Sequence, residues 1–341
     1  MGKMSLILTM GIAVIIGFFV LRLNTNAKEG LTTTLDMYEY TQARLIANSG
    51  VEIYLEKMRR DKSLNSGTFL DNDLADGNYD IYITGPDTAL NIRSVAHFMN
   101  VTHETIVKAR RYPAPFPLAP AAIYVSTAAV QNAKLTGNFT VSGFNHDKNG
   151  GLVNNSGPTV VPGIVVDNVA DSVELRDNLG KNANNQITGL GGTPSIAVND
   201  YNVDWGGVSN DIAFSADQTL GTGTYNGGTF GTYSSPQITL INGNATFNGN
   251  ASGSGILVVN GDLTIRGTFD FRGIIIAYKE ATIKTELNGT GRVIGSLIIS
   301  GNSVDMSISN GNFNALYSKE TLDNAKLNLK SSRFQILSWW E

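Results

Sequence analysis

The chain has 341 residues, a net charge of −4, 16% charged residues, 37 glycines and no cysteine. The lack of cysteine excludes disulfides, thiolate metal sites and cysteine nucleophiles. Without a basic stripe to follow a phosphate backbone, we expect no nucleic-acid partner. Low charge with abundant Gly and Asn is typical of many short strands joined by tight turns, because both residues accept positive φ angles. We therefore expect a mainly β protein.

The N-terminus carries an uncharged, apolar-dominated segment at residues 4–21, between Lys3 and Arg22. At 1.5 Å per residue it would be about 27 Å long as a helix, just enough to cross the hydrocarbon core of a bilayer. Three interpretations compete: a secretory peptide cleaved near Ala27, a signal anchor, and a pilin-type helix that moves from the membrane into a filament core. The predicted filament-core residues are Leu6, Ile7, Leu8, Ile12, Val14, Ile15, Ile16, Phe18, Phe19, Val20 and Leu21.

The residues that follow favour a continuation of the same helix. Residues 22–60 contain no proline, and apolar side chains recur at steps of three and four residues. We predict one long helix over residues 1–60 whose outer part carries a globular head on a single apolar stripe. The residues predicted to pack helix against head are Leu31, Leu35, Tyr38, Leu45, Ile46 and Ile53.

A small antiparallel sheet is expected at residues 61–112. Apolar and polar residues alternate over Gly77–Thr84, Leu90–Phe98 and Thr102–Arg111, which predicts a three-stranded meander. Residues 113–120 are rich in proline and are interpreted as an extended linker between domains.

Beyond Pro120 the pattern changes to short apolar runs closed by Gly or Asn, spaced by about 18 to 23 residues. A period near 20 with several short strands per turn is typical of a parallel β-helix, in which stacked coils bury a common core. We predict such a head at residues 121–341, interrupted by insertions at about 145–235. The aromatic end is expected to cap the β-helix or to contact another subunit, through Phe334, Trp339 and Trp340.

The sequence offers no constellation of catalytic residues, and we expect neither an enzyme nor a bound cofactor. Asp71, Asp73 and Asp76 form a candidate calcium site, since alternate carboxylates supply hard oxygen ligands. Their spacing departs from a calcium loop and no glutamate follows at the required distance. A solvated turn is the preferred interpretation.

Several segments, in this order, resemble the type IV pilus assembly proteins that have a PilX-like N-terminal region and a β-helical C-terminal domain. They are ARLIANSGVEIYLEKM at Ala43–Met58, the strand ending in IVKARR, the stretch FPLAPAAIYVSTAAVQNAKLTGNFTVSGFNHD, and ILVVNGDLTIRGTFDFRGIIIAYKEATI with the final ILSWWE. The chain departs from the usual pilin marker because no glutamate precedes Glu29. The resemblance implies a pilin-like surface protein with a non-catalytic head.

We therefore expect a structural subunit of an extracellular pilus-like filament. Its implied partners are copies of itself, with the inner membrane and pilus-type assembly machinery before assembly, and surface glycans afterwards. It would lie in the cytoplasmic membrane first and at the cell surface later. The alternative is a surface protein with a single membrane anchor that binds or cleaves carbohydrate through its β-helix.

Overall fold

The computed structural model describes residues 2–61, 63–113, 116–181, 183–213, 215–309, 311–327, 329 and 332–341, and the side chains of these residues except 2–6 and 113. The described helices are Gly2–Arg60 (α1), Val169–Asp177 (α2), Trp205–Ala213 (α3) and Lys319–Lys326 (α4), with a 3-10 helix at Ala183–Gln186. The described strands are Gly67–Leu74 (β1), Gly77–Thr84 (β2), Leu90–Phe98 (β3), Val101–Pro113 (β4), Ile123–Leu135 (β5), Asn138–Ser142 (β6), Asn145–His146 (β7), Leu152–Asn154 (β8), Ile164–Val166 (β9), Ile187–Thr188 (β10), Ile196–Val198 (β11), Gln218–Phe230 (β12), Gln237–Val259 (β13), Leu263–Ile265 (β14), Thr268–Leu287 (β15), Thr290–Ile308 (β16), Asn312–Tyr317 (β17) and Ser332–Trp340 (β18).

The predicted fold class is confirmed: a long N-terminal helix, an antiparallel sheet and a large parallel sheet wound as a β-helix. The chain divides into two compact units. One contains Met1–Tyr112 together with Ser332–Glu341, and the other contains Pro113–Ser331.

The first unit packs α1 on a five-stranded sheet of order β1-β2-β3-β4-β18. The alternation in the sequence correctly predicts β2, β3 and β4, which pair antiparallel in consecutive order. Every second residue of these strands points to the helix, including Ile81, Ile92 and Val107, and is buried. The helix ends after Arg60, where the carboxylate of Asp61 accepts hydrogen bonds from the backbone N–H and the hydroxyl of Ser63.

The second unit is a β-helix with three faces. Face one consists of 256–259, 274–277, 296–299, 123–125, 164–166 and 196–198, which pair in parallel. From β12 to β17, neighbouring coils are offset by 18 to 23 residues, as in the pairs Ala251–Phe269 and Gly227–Asn250. Aromatic rings stack through the interior, with Phe247 and Phe269 separated by 4.8 Å between ring centroids. Each coil therefore buries apolar surface that it could not bury alone.

The coils do not stack in chain order. The first coil, at β5, pairs on one side with β16 and on the other with β9. The first coil of the chain therefore lies in the middle of the stack, and β9 and β11 extend the stack from it in one direction. The chain then crosses to the opposite end at β12, and the coils from β13 to β16 fill the stack back toward β5. The last coils built, at β16 and β17, close against the first ones, at β5 and β6.

Face one is buried on both of its sides. Leu257, Ile275 and Leu297 point into the β-helix, whereas their neighbours Ile256 and Ile274 point outward into a second core with α3 and α4. This double burial explains why the strands of face one read as continuous apolar runs rather than as an alternation.

The structure corrects one boundary of the predicted domains. Residues 145–235 contain coils of the stack, at β9, β10, β11 and the 13-residue β12, with longer segments between them. As the strand at one end of its sheet, β12 buries against β13 alone, so its sequence is rich in Gly and Thr rather than in large apolar residues. The head does not extend to Glu341, since β18 belongs to the N-terminal sheet. Residues 114 and 115 of the predicted linker lie outside the described part of the chain.

Candidate assembly helix

The outer part of α1, residues 7–38, is exposed at every position, and we call it the free segment. Its apolar side chains are 49% to 71% exposed, from Ile12 at the low end to Leu31 at the high end. In length and composition this is a helix that could span a membrane, with a mean hydropathy of 2.1 over its most apolar window. Exposed apolar surface of this extent marks an interaction site with lipid or protein.

All the predicted filament-core residues from Ile7 to Leu21 lie in the free segment, and the large apolar ones among them are exposed. The side chain of Leu6 lies outside the described part of the structure. The structure places these residues on one helix, and their role in assembly stays a prediction.

Threonines in and just beyond the free segment are satisfied by the helix itself. The hydroxyls of Thr32, Thr33 and Thr34 donate to the carbonyls of the residues four positions earlier, at 2.8 to 2.9 Å. Thr25 and Thr41 do the same at 3.0 and 2.7 Å. Because their donors are already paired, these hydroxyls do not require water or a partner, and the threonine positions tolerate a low-polarity environment.

The inner part of α1, residues 39–60, is the anchor segment, and its buried face differs from the predicted stripe. Ile46 is buried and Ile53 is partly buried, as expected, but Leu31, Leu35, Tyr38 and Leu45 are exposed and the prediction for them is wrong. Tyr38 makes only an edge contact with the ring of Phe98. The residues that face the sheet are Glu39, Ala43, Ile46, Ala47, Gly50, Val51, Tyr54 and Met58.

Small residues explain this change of face. A Cβ atom on Gly50 would lie 2.6 Å from the ring of Tyr79 and 2.8 Å from Ser94 Oγ. Ala43 and Ala47 lie on the same face and are fully buried. The helix approaches the sheet most closely at Gly50, while Leu31 and Leu35 lie outside the anchor segment and Leu45 lies on its exposed face. The spacing of 43, 47 and 50 was the signal in the sequence for this face.

A buried arginine fastens the end of the anchor segment. Arg111 of β4 is 5% exposed, and its guanidinium donates to the carbonyls of Met58 at 2.7 Å and Asp61 at 2.8 Å. It also donates to Leu64 O, to Asn65 Oδ1 and to Ser332 Oγ at the start of β18. Burial lowers the pKa of Arg111, and Asp87, with Oδ1 3.7 Å from Nη1, opposes that shift. No local pattern in the sequence predicts this role of Arg111.

Charged pairs on the outer face of the anchor segment are weaker. Glu56 receives hydrogen bonds from Arg59 at 2.6 Å and from Arg60 at 2.7 Å. The bond from Arg59 is the main cause that lowers the pKa of Glu56 to about 2. The three side chains are substantially exposed, so water screens the pairs.

The C-terminal aromatic residues do not cap the β-helix, and that prediction is wrong. Phe334 and Trp339 pack on the core of the first unit, while Trp340 is 49% exposed with Lys108 Nζ 5.1 Å from its ring centroid. A contact of Trp340 with another subunit stays a prediction.

The candidate calcium site is not assembled in the structure. Asp71 and Asp73 lie in β1, and Asp76 lies in the turn between β1 and β2. Asp71 is engaged by the amide of Asn78, and its backbone N–H donates to Asp80. Among the described residues, no group of three or more His, Asp or Glu side chains could hold a metal ion.

The comparisons with known proteins give little support beyond this geometry. No family model matches the sequence, and no curated protein matches it. Among solved structures, the chain is similar to the crystal structure of the competence-associated pilin ComZ from Thermus thermophilus, at 10% identity over 89% of this chain and 97% of that chain, with a TM-score of 0.24. A TM-score of this size does not establish a shared fold.

Proposed function

We propose that this chain is the structural subunit of an extracellular pilus-like filament. The observation that carries the proposal is the free segment: about 30 residues of unbroken helix, apolar over residues 7–21, that nothing in the described chain covers. The free segments would pack together in the filament core, and the β-helix heads would form the filament surface.

The energetics favour burial of the free segment. Covering one large apolar side chain contributes roughly 1.5 to 3 kcal/mol, so about ten of them contribute on the order of 20 kcal/mol. Lipid can supply this burial before assembly, and neighbouring helices can supply it afterwards. The chain would therefore wait in the cytoplasmic membrane until pilus-type assembly machinery moves it into the filament.

The anchor segment keeps the helix attached to the first unit during this transfer. It fixes the helix to the sheet through a closely packed face and through Arg111, which binds the carbonyls at the helix end. The free segment can exchange lipid for protein neighbours without disturbing this core. In this proposal the function is assembly and involves no catalytic turnover.

The test compares two matched substitutions of exposed apolar residues in cells that make the protein. Ile15 in the free segment and Leu70 in β1 are both 59% exposed. Material sheared from the cells is examined by electron microscopy and mass spectrometry. We expect filaments of this chain in the wild type and in Leu70→Asp, and at least about a tenfold loss in Ile15→Asp, because an Asp at the centre of an apolar helix costs about 3 kcal/mol.

A different outcome would favour the anchored surface protein. In that case the wild-type chain stays in the membrane fraction as a monomer, and the sheared material contains none of it. Ile15→Asp would then change only its retention in the membrane.

A further inference from the structure

A polar cavity of about 470 Å³ opens in the β-helix unit, beyond the ends of the face-one strands. One part of its wall consists of the residues that directly follow four segments of face one, namely 123–125, 164–166, 274–277 and 296–299. The other part is the segment that leads from β11 into α3. The cavity lies entirely within Pro113–Ser331.

Four side chains form a row along this cavity. Tyr278 pairs with Ser300, and Ser300 pairs with Ser126 on the next strand. The hydroxyl of Ser126 donates to Asp167 Oδ2 at 2.9 Å, which extends the row to a fourth strand. Since neighbouring strands lie about 4.8 Å apart, the row is about 14 Å long. It suits an extended ligand better than a single ion.

The walls of the cavity carry negative charge, which disfavours anionic ligands. Asp167, Asp200, Asp204 and Glu280 line the cavity, and no Lys, Arg or His is among the lining residues. Phosphate, sulfate and acidic sugars would be repelled. The carboxylates do not converge on one point either, because no group of three among the described residues could hold a metal ion.

Asp167 is held as a rigid acceptor. Its Oδ1 receives the hydroxyl proton of Tyr124 at 2.6 Å, and its Oδ2 receives that of Ser126. A carboxylate has about four acceptor positions, so others remain for hydroxyl donors of a ligand. Burial raises the pKa of Asp167, and the charge of Asp200 acts in the same direction.

Aromatic side chains complete the cavity wall. Trp205 of α3 is 2% exposed, and its indole Nε1 has no hydrogen-bond partner among the described residues. Tyr278 supplies a second, partly exposed ring. The ring of Tyr278 is accessible to pack against the apolar C–H face of a sugar, whereas Trp205 is buried behind the wall and supports it. Carboxylates and amides accept the hydroxyl protons of the sugar.

We propose that this cavity binds a neutral oligosaccharide of a few sugar units. This adds a ligand-binding site to the head and does not depend on filament assembly. Hydroxyl-rich chains match a row of acceptors along the strands, whereas a compact cation does not.

The test uses saturation-transfer NMR on the full chain in a detergent without a sugar headgroup. The probes are cellotetraose, maltotetraose, mannotetraose and tetra-N-acetylchitotetraose, with spermidine as a rival. CaCl2 is the second rival and is tested by isothermal titration calorimetry, because calcium carries no protons to saturate. We expect saturation transfer to at least one tetrasaccharide, with an affinity that changes little in 0.5 M NaCl because the ligand is uncharged. Binding of spermidine or calcium alone would overturn the proposal, as would the absence of signal for all four sugars.

Two substitutions locate the site. Asp167→Asn should weaken the bound tetrasaccharide about tenfold or more, since hydrogen bonds to charged groups are among the strong ones. Glu280→Gln changes an exposed residue of the cavity wall without a risk to folding and should weaken it several-fold. The control is Glu286→Gln, which removes an exposed carboxylate paired with Arg266 outside the cavity and should change nothing. An affinity that survives both cavity substitutions would overturn the assignment.

Discussion

The two parts of α1 form one uninterrupted helix, yet they are stabilised in opposite ways. The anchor segment buries Ala43, Ala47 and Gly50 against the sheet, whereas the free segment exposes larger and more apolar residues to its surroundings. The comparison shows that hydrophobicity alone does not decide which face packs inside the chain. The buried face combines small residues with Ile46, Tyr54 and Met58, and the most apolar part of the helix is left for contacts outside the chain.

The first prediction is that the stability of the packing between the anchor segment and the sheet depends on the guanidinium of Arg111. Arg111→Met removes five hydrogen-bond donors from a buried network, among them the donor to the carbonyl of Met58, so we expect a loss of about 3 to 5 kcal/mol in the free energy of unfolding. Urea titration followed by tryptophan fluorescence would measure it, since Trp339 and Trp340 lie in the same unit.

The matched control is Arg110→Met on the same strand. Arg110 is exposed and binds only Thr88 O and the hydroxyl of Tyr112, at 3.3 and 3.2 Å. We expect it to cost less than about 1 kcal/mol. Equal losses for the two variants would show that the buried network does not hold the helix end.

The second prediction is that enlarging a glycine lowers stability in the anchor segment and raises it in the free segment. Gly50→Val places side-chain atoms against Tyr79 and Ser94, and we expect a loss of about 1 to 3 kcal/mol from overpacking. Gly30 in the free segment has open space at its Cβ position, and Gly30→Ala should raise helix stability by about 0.5 to 1 kcal/mol. Thermal unfolding of both variants followed by circular dichroism measures these effects. The comparison fails if Gly50→Val is as well tolerated as Gly30→Ala.

The smallest expected effect is the pH dependence of Glu56. Its pKa is lowered to about 2 in the folded chain, mainly by the hydrogen bond from Arg59. A lowered carboxyl pKa means that the pair stabilises the fold above the unfolded value, near pH 4.5, and that this contribution is lost as the pH falls toward about 2.

Glu56→Gln should therefore lower the unfolding free energy by less than about 1 kcal/mol at pH 7 and by nothing near pH 2, because the pair is exposed. Glu52→Gln, at an exposed position of the same helix, provides the baseline. The pair would be irrelevant to stability if the two variants gave the same values at every pH.

Local patterns in the sequence predict the helix and the three central strands of the first sheet. Helical spacing and alternation each depend on neighbouring residues only, so α1, β2, β3 and β4 could be predicted with accurate bounds. The fifth strand could not. β18 lies beside β4, and Arg111 binds Ser332 across 221 residues of sequence, which no local pattern reports.

The candidate sites show the same limit. The apolar spacing of Leu31 and Leu35 continues the stripe in the sequence, but contact with the sheet begins only at Glu39, which no local pattern reports. The polar cavity was missed because Ser126, Asp167 and Tyr278 come from separate coils. Only the non-sequential stacking of the coils makes these residues neighbours.

The most direct test of the central claim uses the absence of cysteine from the chain. A single cysteine is introduced in the free segment as Val14→Cys, or on the exposed part of β1 as Leu70→Cys. Intact sheared material is treated with a flexible bis-maleimide before denaturing electrophoresis, because helical packing does not bring identical positions within disulfide distance. The account predicts covalent dimers for Val14→Cys, because free segments pack against each other in the filament core, and monomers for Leu70→Cys. Monomers for Val14→Cys, in material that contains filaments of this chain, would contradict it.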